Sequence, residues 1–153
     1  MKEMRRKDRA ISDAEALELL NSCEYGVLST VSSDGEPYGV PISYCVVDNA
    51  LYFHSALEGR KLDNVQYNES ASFCVVGNTE ILQSKFSTKF ESVIVSGVIE
   101  IATGDDKQIG LEGLIKKYSP DFIEEGLKYI KRATDETMVL KLNIKHMTGK
   151  ARR

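Results

Sequence analysis

Tryptophan is absent from this 153-residue chain, and proline, cysteine and histidine are scarce, with three, three and two residues. The cysteines Cys23, Cys45 and Cys74 are odd in number and widely spaced, and each lies in an apolar run. Disulfide frameworks and zinc sites need paired or closely spaced cysteines, so neither is expected. The sequence therefore predicts buried free thiols in a reducing compartment, and a cytoplasmic protein.

Long apolar runs and a surplus of positive charge are also missing. No stretch approaches the ~20 apolar residues of a membrane span, and the N-terminus lacks the apolar core of a signal peptide. The net charge of −3 leaves no basic surplus to neutralise nucleic-acid phosphates. We expect one domain over residues 1–153 with basic, flexible ends at 1–9 and 149–153, and neither a membrane nor a nucleic acid as partner.

The signature motifs of several enzyme classes are absent as well. No Gly-x-Gly-x-x-Gly follows a strand pattern, and there is no Walker-type glycine–lysine loop. No serine lies in a nucleophile-elbow pattern, and neither histidine belongs to a metal-binding motif. A Rossmann dinucleotide site, a nucleoside triphosphatase, a serine hydrolase and a metal centre are therefore not expected.

The spacing of apolar residues predicts a mainly β chain with helices. Ser12 and Glu15 form a capping box that starts a helix over residues 12–21. Period-two segments predict six strands, over residues 25–31, 38–47, 51–54, 70–76, 92–102 and 137–144. Helices are expected over residues 59–67, after Asp105 and after Ser119, whereas residues 77–89 suggest an irregular polar connection. Strands joined by short turns indicate a small antiparallel barrel with added helices.

One loop carries the groups that an anion needs. Ser55 directly follows the third predicted strand, and Gly59, Arg60 and Lys61 come next at the start of a short helix. Backbone amides at a loop-to-helix junction, with two cations beside them, favour a phosphate group. Glu58 counts against this interpretation unless its carboxylate points away. The loop therefore predicts a ligand that carries a phosphate.

Two further features lie near this loop. His54 ends the same strand, and an imidazole with a pKa near neutrality can bind phosphate, relay protons or hold a substrate. Pro41 removes a ladder donor from its strand and favours an edge or a bulge. Backbone groups freed there can contact the polar edge of a flat ring, although an edge strand without a ligand explains Pro41 equally well.

Seven short segments, in order, form a wider pattern. They are Gly-Val-Leu-Ser-Thr at 26–30, Gly-Glu-Pro-Tyr at 35–38, Val-Pro-Ile-Ser-Tyr at 40–44, Leu-Tyr-Phe-His-Ser-Ala at 51–56, Gly-Arg-Lys at 59–61, Ser-Val-Ile-Val-Ser-Gly at 92–97 and Thr-Gly-Lys at 148–150. This pattern resembles the flavin-binding split-barrel superfamily of the pyridoxamine-phosphate-oxidase type, and most closely its 5-nitroimidazole-resistance (Nim-like) branch. The resemblance spans nearly the whole chain.

The resemblance implies a six-stranded antiparallel split barrel with flanking helices, and an FMN-binding homodimer with each flavin at the subunit interface. By analogy, Ser55, Arg60 and Lys61 hold the phosphate, residues 28–30 and 41–43 line the isoalloxazine ring, and His54 is the catalytic residue near the flavin. The partner subunit would close the site through residues 77–92. The cofactor-binding residues expected are Leu28, Ser29, Thr30, Pro41, Ile42, Ser43, Phe53, His54, Ser55, Ala56, Gly59, Arg60 and Lys61.

The function implied is that of an FMN-dependent oxidoreductase, either a nitroreductase or a flavin reductase. Its small-molecule partners would be reduced nicotinamide as donor and a nitro compound as acceptor, which suggests a role in nitroimidazole resistance. The chain lacks the arginine-rich carboxy-terminal signature of true pyridoxamine phosphate oxidases, so that activity is not expected. Three alternatives stay open: a non-enzymatic FMN carrier or redox-responsive protein, a barrel that binds haem or deazaflavin, and a barrel without a cofactor.

Overall fold

The computed structural model describes residues 2–153, which form seven strands and four α-helices. The strands are β1 (Gly26–Val31), β2 (Pro37–Ile42), β3 (Cys45–Val47), β4 (Ala50–Ser55), β5 (Ser70–Leu82), β6 (Ser87–Ala102) and β7 (Met138–Arg152). The helices are α1 (Asp13–Ser22), α2 (Arg60–Tyr67), α3 (Gly104–Tyr118) and α4 (Ile123–Ala133). All strands join one antiparallel sheet in the order β2-β1-β5-β6-β7-β4-β3, curled into a half-barrel.

The main core lies on the inner face of the curled sheet. In β6 the predicted alternation is confirmed, because Val93 and Val95 are fully buried while Ile94 between them is exposed. The Phe73 ring lies at the centre, with ring centroids 4.6 Å from Tyr44 and 5.3 Å from Phe53. Successive side chains of a strand point to opposite faces, so this core uses one side of each strand.

A second, smaller core covers the outer face of the sheet where β3, β4 and β7 are adjacent. Tyr52 and Val139 contribute from the strands, and Leu111, Leu114 and Ile130 contribute from α3 and α4. The two helices therefore pack on the face opposite to the main core, beside the end of β4.

The first helix begins as predicted. The Ser12 hydroxyl accepts a hydrogen bond from the Glu15 amide at 3.1 Å, which satisfies one of the free donors at the helix N-terminus. Its apolar side, including Ala16, Leu19 and Leu20, is buried in the main core.

The sheet has seven strands because the segment predicted as one strand over residues 38–47 is two. Ser43 and Tyr44 leave the ladder between β2 and β3. The Tyr44 amide donates to the hydroxyl of Tyr118 at 3.0 Å, so a side chain of α3 replaces a strand partner. The prediction of six strands is therefore wrong by one.

Residues 77–89 are not an irregular connection, so that prediction is wrong. β5 and β6 continue through them as a hairpin, with a short 3₁₀ helix, Gln83–Lys85, at its tip. Ile81 is 75% exposed and Phe86 is 95% exposed. Because neither face of the hairpin tip is buried, its sequence has no apolar alternation that could identify the strands.

Both chain ends contain regular secondary structure. β7 runs through Arg152, so residues 149–152 are part of the sheet, and Arg153 lies 2.9 Å from Glu15 and 3.3 Å from Glu91. His146 lies within β7 and is exposed. In the predicted flexible end at 1–9, Met1 lies outside the described residues, and Lys7–Arg9 form a 3₁₀ helix.

Within residues 2–153, the longest helices fall short of the length and apolar character that crossing a bilayer requires.

Candidate functional site

Several of the predicted site residues lie at or directly after the carboxyl end of β4. Phe53 and Ser55 are buried, whereas His54 between them is exposed. Since neighbouring residues of a strand point to opposite faces, His54 faces the side covered by α3 and α4, and Ser55 faces the core side. The Ser55 hydroxyl lies 2.8 Å from the Ala56 carbonyl oxygen. At this strand end the side chains of His54 and Ser55 therefore point to opposite faces of the sheet.

The N-terminus of α2 is open to the surroundings. Gly59 precedes the helix with a φ of 146°, a conformation that residues with a Cβ rarely adopt. Its carbonyl accepts the first helical hydrogen bond, from the Asp63 amide at 3.1 Å. The amides of the first turn have no partner within the helix. A Cβ at Gly59 would meet no atom within 4 Å, so the space beside Gly59 is open.

Two cations flank this helix start. The Arg60 guanidinium carbon lies 5.0 Å from the centroid of the Tyr38 ring, which holds the side chain against β2. Lys61 is half-buried. Among residues 2–153, neither cation has a carboxylate within ion-pair distance, Glu58 included. Both charges are therefore available to an anionic ligand.

A buried hydrogen bond ties α2 to the sheet. The Asn64 side-chain amide donates to the Thr30 hydroxyl at 3.0 Å, and both residues are almost fully buried. Sequence reasoning missed Asn64 and assigned no role to Tyr38. The signal for Asn64 is its position between the buried Leu62 and Val65, where a polar side chain needs a specific partner.

Ser43 and His54, predicted from separate segments, line one cavity. Its volume is about 240 Å³, and it lies between the end of β4 and the pair of helices α3 and α4. Most of its wall is apolar, aromatic or hydroxyl-bearing. The other lining residues are Leu111, Leu114, Ile115, Tyr118, Ser119, Tyr129, Ile130, Ala133, Thr134 and Thr137. This cavity can take a small, largely apolar group that carries a few polar atoms.

The other predicted residues take different positions. The side chains of Leu28 and Phe53 are fully buried in the core, so a ligand could reach only their backbone. The Thr30 hydroxyl accepts a hydrogen bond from Asn64. Ser29 and Pro41 are exposed. The predicted set is thus divided among the helix start, the cavity and the barrel core.

Burial shifts the pKa of two ionisable groups, Lys117 and Cys45. Lys117 Nζ lies 3.6 Å from the centroid of the Tyr44 ring. It has no hydrogen-bond partner among residues 2–153, and burial lowers the pKa of Lys117. Burial also raises the pKa of Cys45 to about 11, so this thiol stays protonated at neutral pH. All three cysteines are free, Cys45 buried and the other two half-buried. No group of three or more His, Cys, Asp or Glu side chains in residues 2–153 is placed to hold a metal ion.

Solved structures with the same fold include proteins of several descriptions. A candidate 5-nitroimidazole antibiotic resistance protein from Bacteroides thetaiotaomicron matches with a TM-score of 0.81 at 22% identity, covering 93% of this chain and 86% of that one. An FAD-binding protein from Mesorhizobium loti matches at 0.66 and 22% identity, covering 95% and 98%. The FAD and heme binding protein from Mycobacterium smegmatis matches at 0.80 and 20% identity, covering 92% and 71%.

These likenesses show the fold that the resemblance implied. A comparison with curated proteins gave no significant match. The sequence model of the family described as pyridoxamine 5'-phosphate oxidase matches residues 12–151, from the cap of α1 to the end of β7. The chain therefore belongs to the pyridoxamine 5'-phosphate oxidase family.

Proposed function

We propose that this protein binds FMN at the carboxyl end of β4 and acts as an oxidoreductase, a nitroreductase or flavin reductase with reduced nicotinamide as donor. The observation that carries the proposal is the open start of α2, where Arg60 and Lys61 have no carboxylate partner among residues 2–153. An apolar cavity that contains Ser43 and His54 lies at the same end of β4. A phosphate-bearing ligand with a flat ring matches both features.

The helix start fits a single phosphate. Free amides and a helix dipole attract an anion, and two adjacent cations add charge-assisted hydrogen bonds. Arg60 is held by the Tyr38 ring, so less conformational entropy is lost when it binds. One cation pair at one helix start suits the monophosphate of FMN better than a pyrophosphate.

The cavity fits part of a ring system. Ser43 and His54 supply polar atoms, whereas Leu111, Leu114 and Ile130 supply apolar surface. FMN, when bound, supplies the electron transfer, and the protein supplies binding, orientation and the electrostatic surroundings. The role left for His54 is to hold the acceptor or to exchange a proton with it at the imidazole. Haem is a second candidate, because the His54 imidazole at this cavity would supply a nitrogen ligand to its iron.

We further propose that the protein works as a homodimer. Val27, Cys74 and Ile94 lie side by side on neighbouring strands, on the outer face of the sheet. Val76 lies two residues further along β5, and we call these four residues the outer strip. Val27, Val76 and Ile94 are exposed and Cys74 is half-buried. Contiguous exposed apolar side chains often mark a surface that a partner protein covers. Ser29 lies on the same face of β1 as Val27, which supports a flavin site next to this interface.

Replacing His54 tests the catalytic assignment. His54→Gln is expected to lower turnover with reduced nicotinamide and a nitro acceptor by roughly a hundredfold, the scale of a lost acid–base group. FMN affinity should change little, because the phosphate contacts remain. The matched control is His146→Gln, the same change at an exposed residue of β7.

Steady-state rates and flavin titrations on the two variants check this. An unchanged rate in His54→Gln would reduce His54 to a scaffold residue. If the wild-type protein binds FMN but fails to turn over more than once with donor and acceptor, the protein is a carrier and not an enzyme.

A further inference from the structure

The hydroxyl of Tyr118 joins three parts of the fold. It accepts a hydrogen bond from the Tyr44 amide at 3.0 Å, and its oxygen lies 3.1 Å from the Tyr44 carbonyl oxygen and 2.5 Å from the Glu24 carbonyl oxygen. A hydroxyl has one proton, so it donates to one carbonyl at a time. Tyr118 is the last residue of α3. One side chain therefore fixes the break between β2 and β3 and the link between α1 and β1.

The bond to the Tyr44 amide also fixes the preceding carbonyl. Ser43 C=O and Tyr44 N–H belong to one peptide unit, which is planar and trans, so holding the N–H sets the direction of the C=O. Ser43 and Tyr118 both line the cavity that contains His54. The peptide next to the proposed ring is thus held by a side chain of α3 and not by a strand partner.

The packing of α3 holds Tyr118 in position. The helix that carries it packs through Leu111 and Leu114 into the second core, where both are buried. The aromatic ring forms part of the cavity wall while the hydroxyl holds the backbone behind it. Nearby Tyr129 also lines the cavity and is 60% exposed, and among the described residues its hydroxyl has no hydrogen bond to the protein. The two tyrosines differ in what their hydroxyls do.

We propose that Tyr118 is a positioning residue for the cofactor, which holds the Ser43–Tyr44 peptide in the orientation that the polar edge of the flavin requires. This inference rests on the proposed function. Tyr118→Phe keeps the ring in the cavity wall and removes only the hydroxyl, so the peptide loses its anchor. Tyr129→Phe is the matched control, because it removes a hydroxyl from the same cavity without releasing any backbone group.

The experiment compares wild type, Tyr118→Phe and Tyr129→Phe by flavin titration, by the midpoint potential of the bound flavin and by thermal unfolding. Tyr118→Phe is expected to weaken FMN binding by about tenfold, the equivalent of one hydrogen bond. The potential should shift by about 30 mV, which corresponds to a tenfold change in the ratio of the affinities for the oxidised and reduced forms. Tyr129→Phe, which removes a hydroxyl from the same cavity wall but releases no backbone group, should have a clearly smaller effect on both quantities.

Each outcome decides between named alternatives. A lower unfolding temperature with unchanged affinity and potential would make Tyr118 a purely structural residue and overturn the inference. Equal effects in both variants would also overturn it, because they would reflect the polarity of the cavity alone. If wild type does not bind FMN, the proposed function fails and the inference fails with it.

A second measurement on wild type covers the case in which Tyr118→Phe does not fold. Adding FMN should slow hydrogen exchange at the Tyr44 amide, because the ring shields and orders this peptide. Exchange at Tyr44 that is unaffected by saturating FMN would contradict the inference.

Discussion

Replacing Arg60 and Lys61 together with alanine is expected to weaken FMN binding by about a hundredfold or more, with the fold unchanged. Two charge-assisted hydrogen bonds to the phosphate would be lost, and each contributes more than a neutral one. Stability should hold because Arg60 is exposed, Lys61 is half-buried, and neither forms an ion pair within residues 2–153. Titration by flavin fluorescence measures the affinity, and thermal unfolding measures stability.

The chain offers a matched control in Lys131 and Arg132, an adjacent exposed pair in the last turn of α4. Changing both to alanine removes the same net charge away from α2 and should leave FMN affinity close to wild type. Equal losses in the two double variants would show that total charge, and not this site, attracts the cofactor. Unchanged affinity in the Arg60 and Lys61 variant would remove the phosphate assignment.

Placing a carboxylate in the outer strip is expected to separate the subunits. Ile94→Asp would bring an unpaired charge into an apolar interface, and two-fold symmetry places the change in both subunits. We expect the dimer dissociation constant to rise by about a hundredfold or more, the scale of a hot-spot change. Sedimentation velocity over a range of protein concentrations measures this constant. Because the flavin is proposed to lie at the interface, FMN affinity should fall as well.

The control is Leu127→Asp, which places the same charge on α4, where Leu127 is 40% exposed compared with 47% for Ile94. It should leave the dimer intact. A dimer that survives Ile94→Asp would place the interface elsewhere. A wild-type protein that stays monomeric at every concentration while it binds FMN would contradict the dimer proposal itself.

Local signals in the sequence predicted much of the fold. The capping box at Ser12 fixed the start of α1, and the alternation around Val93 and Val95 identified the buried face of β6. The glycine at 59 and the cations that follow it marked the start of α2. In each case the residues that determine the structure are neighbours along the chain, so a pattern of period two or 3.6 contains the information.

The remaining features depend on contacts between distant residues. The strand breaks at Ser43 and Tyr44 because the Tyr44 amide donates a hydrogen bond to the hydroxyl of Tyr118. The two residues are 74 positions apart in the sequence. The bond between Thr30 and Asn64 joins residues 34 apart. Gly97 of β6 lies opposite a bulge at Lys145 of β7, and it needs to be glycine because a Cβ there would overlap the Asn143 carbonyl oxygen of β7. No local pattern contains these partners.

The candidate site shows the same limit. The sequence predicts His54 at the end of a strand and Ser55 next to it in the anion loop, and strand geometry turns their side chains to opposite faces. Ser43 and His54 were assigned from separate segments and line one cavity. Leu28 and Phe53 lie within matching motifs, but the core uses their side chains. Motif order indicated the region of the site, and the packing of α3 and α4 determines which side chains are available in it.

The visible absorption spectrum of the purified protein, followed by release and identification of the chromophore, tests flavin binding most directly. We predict flavin absorption bands and released FMN, either as purified or after added FMN is taken up. A Soret band would identify haem as the cofactor instead, and a deazaflavin spectrum would identify that group. A colourless protein that also fails to take up added FMN would contradict the proposal that this barrel is a flavoprotein.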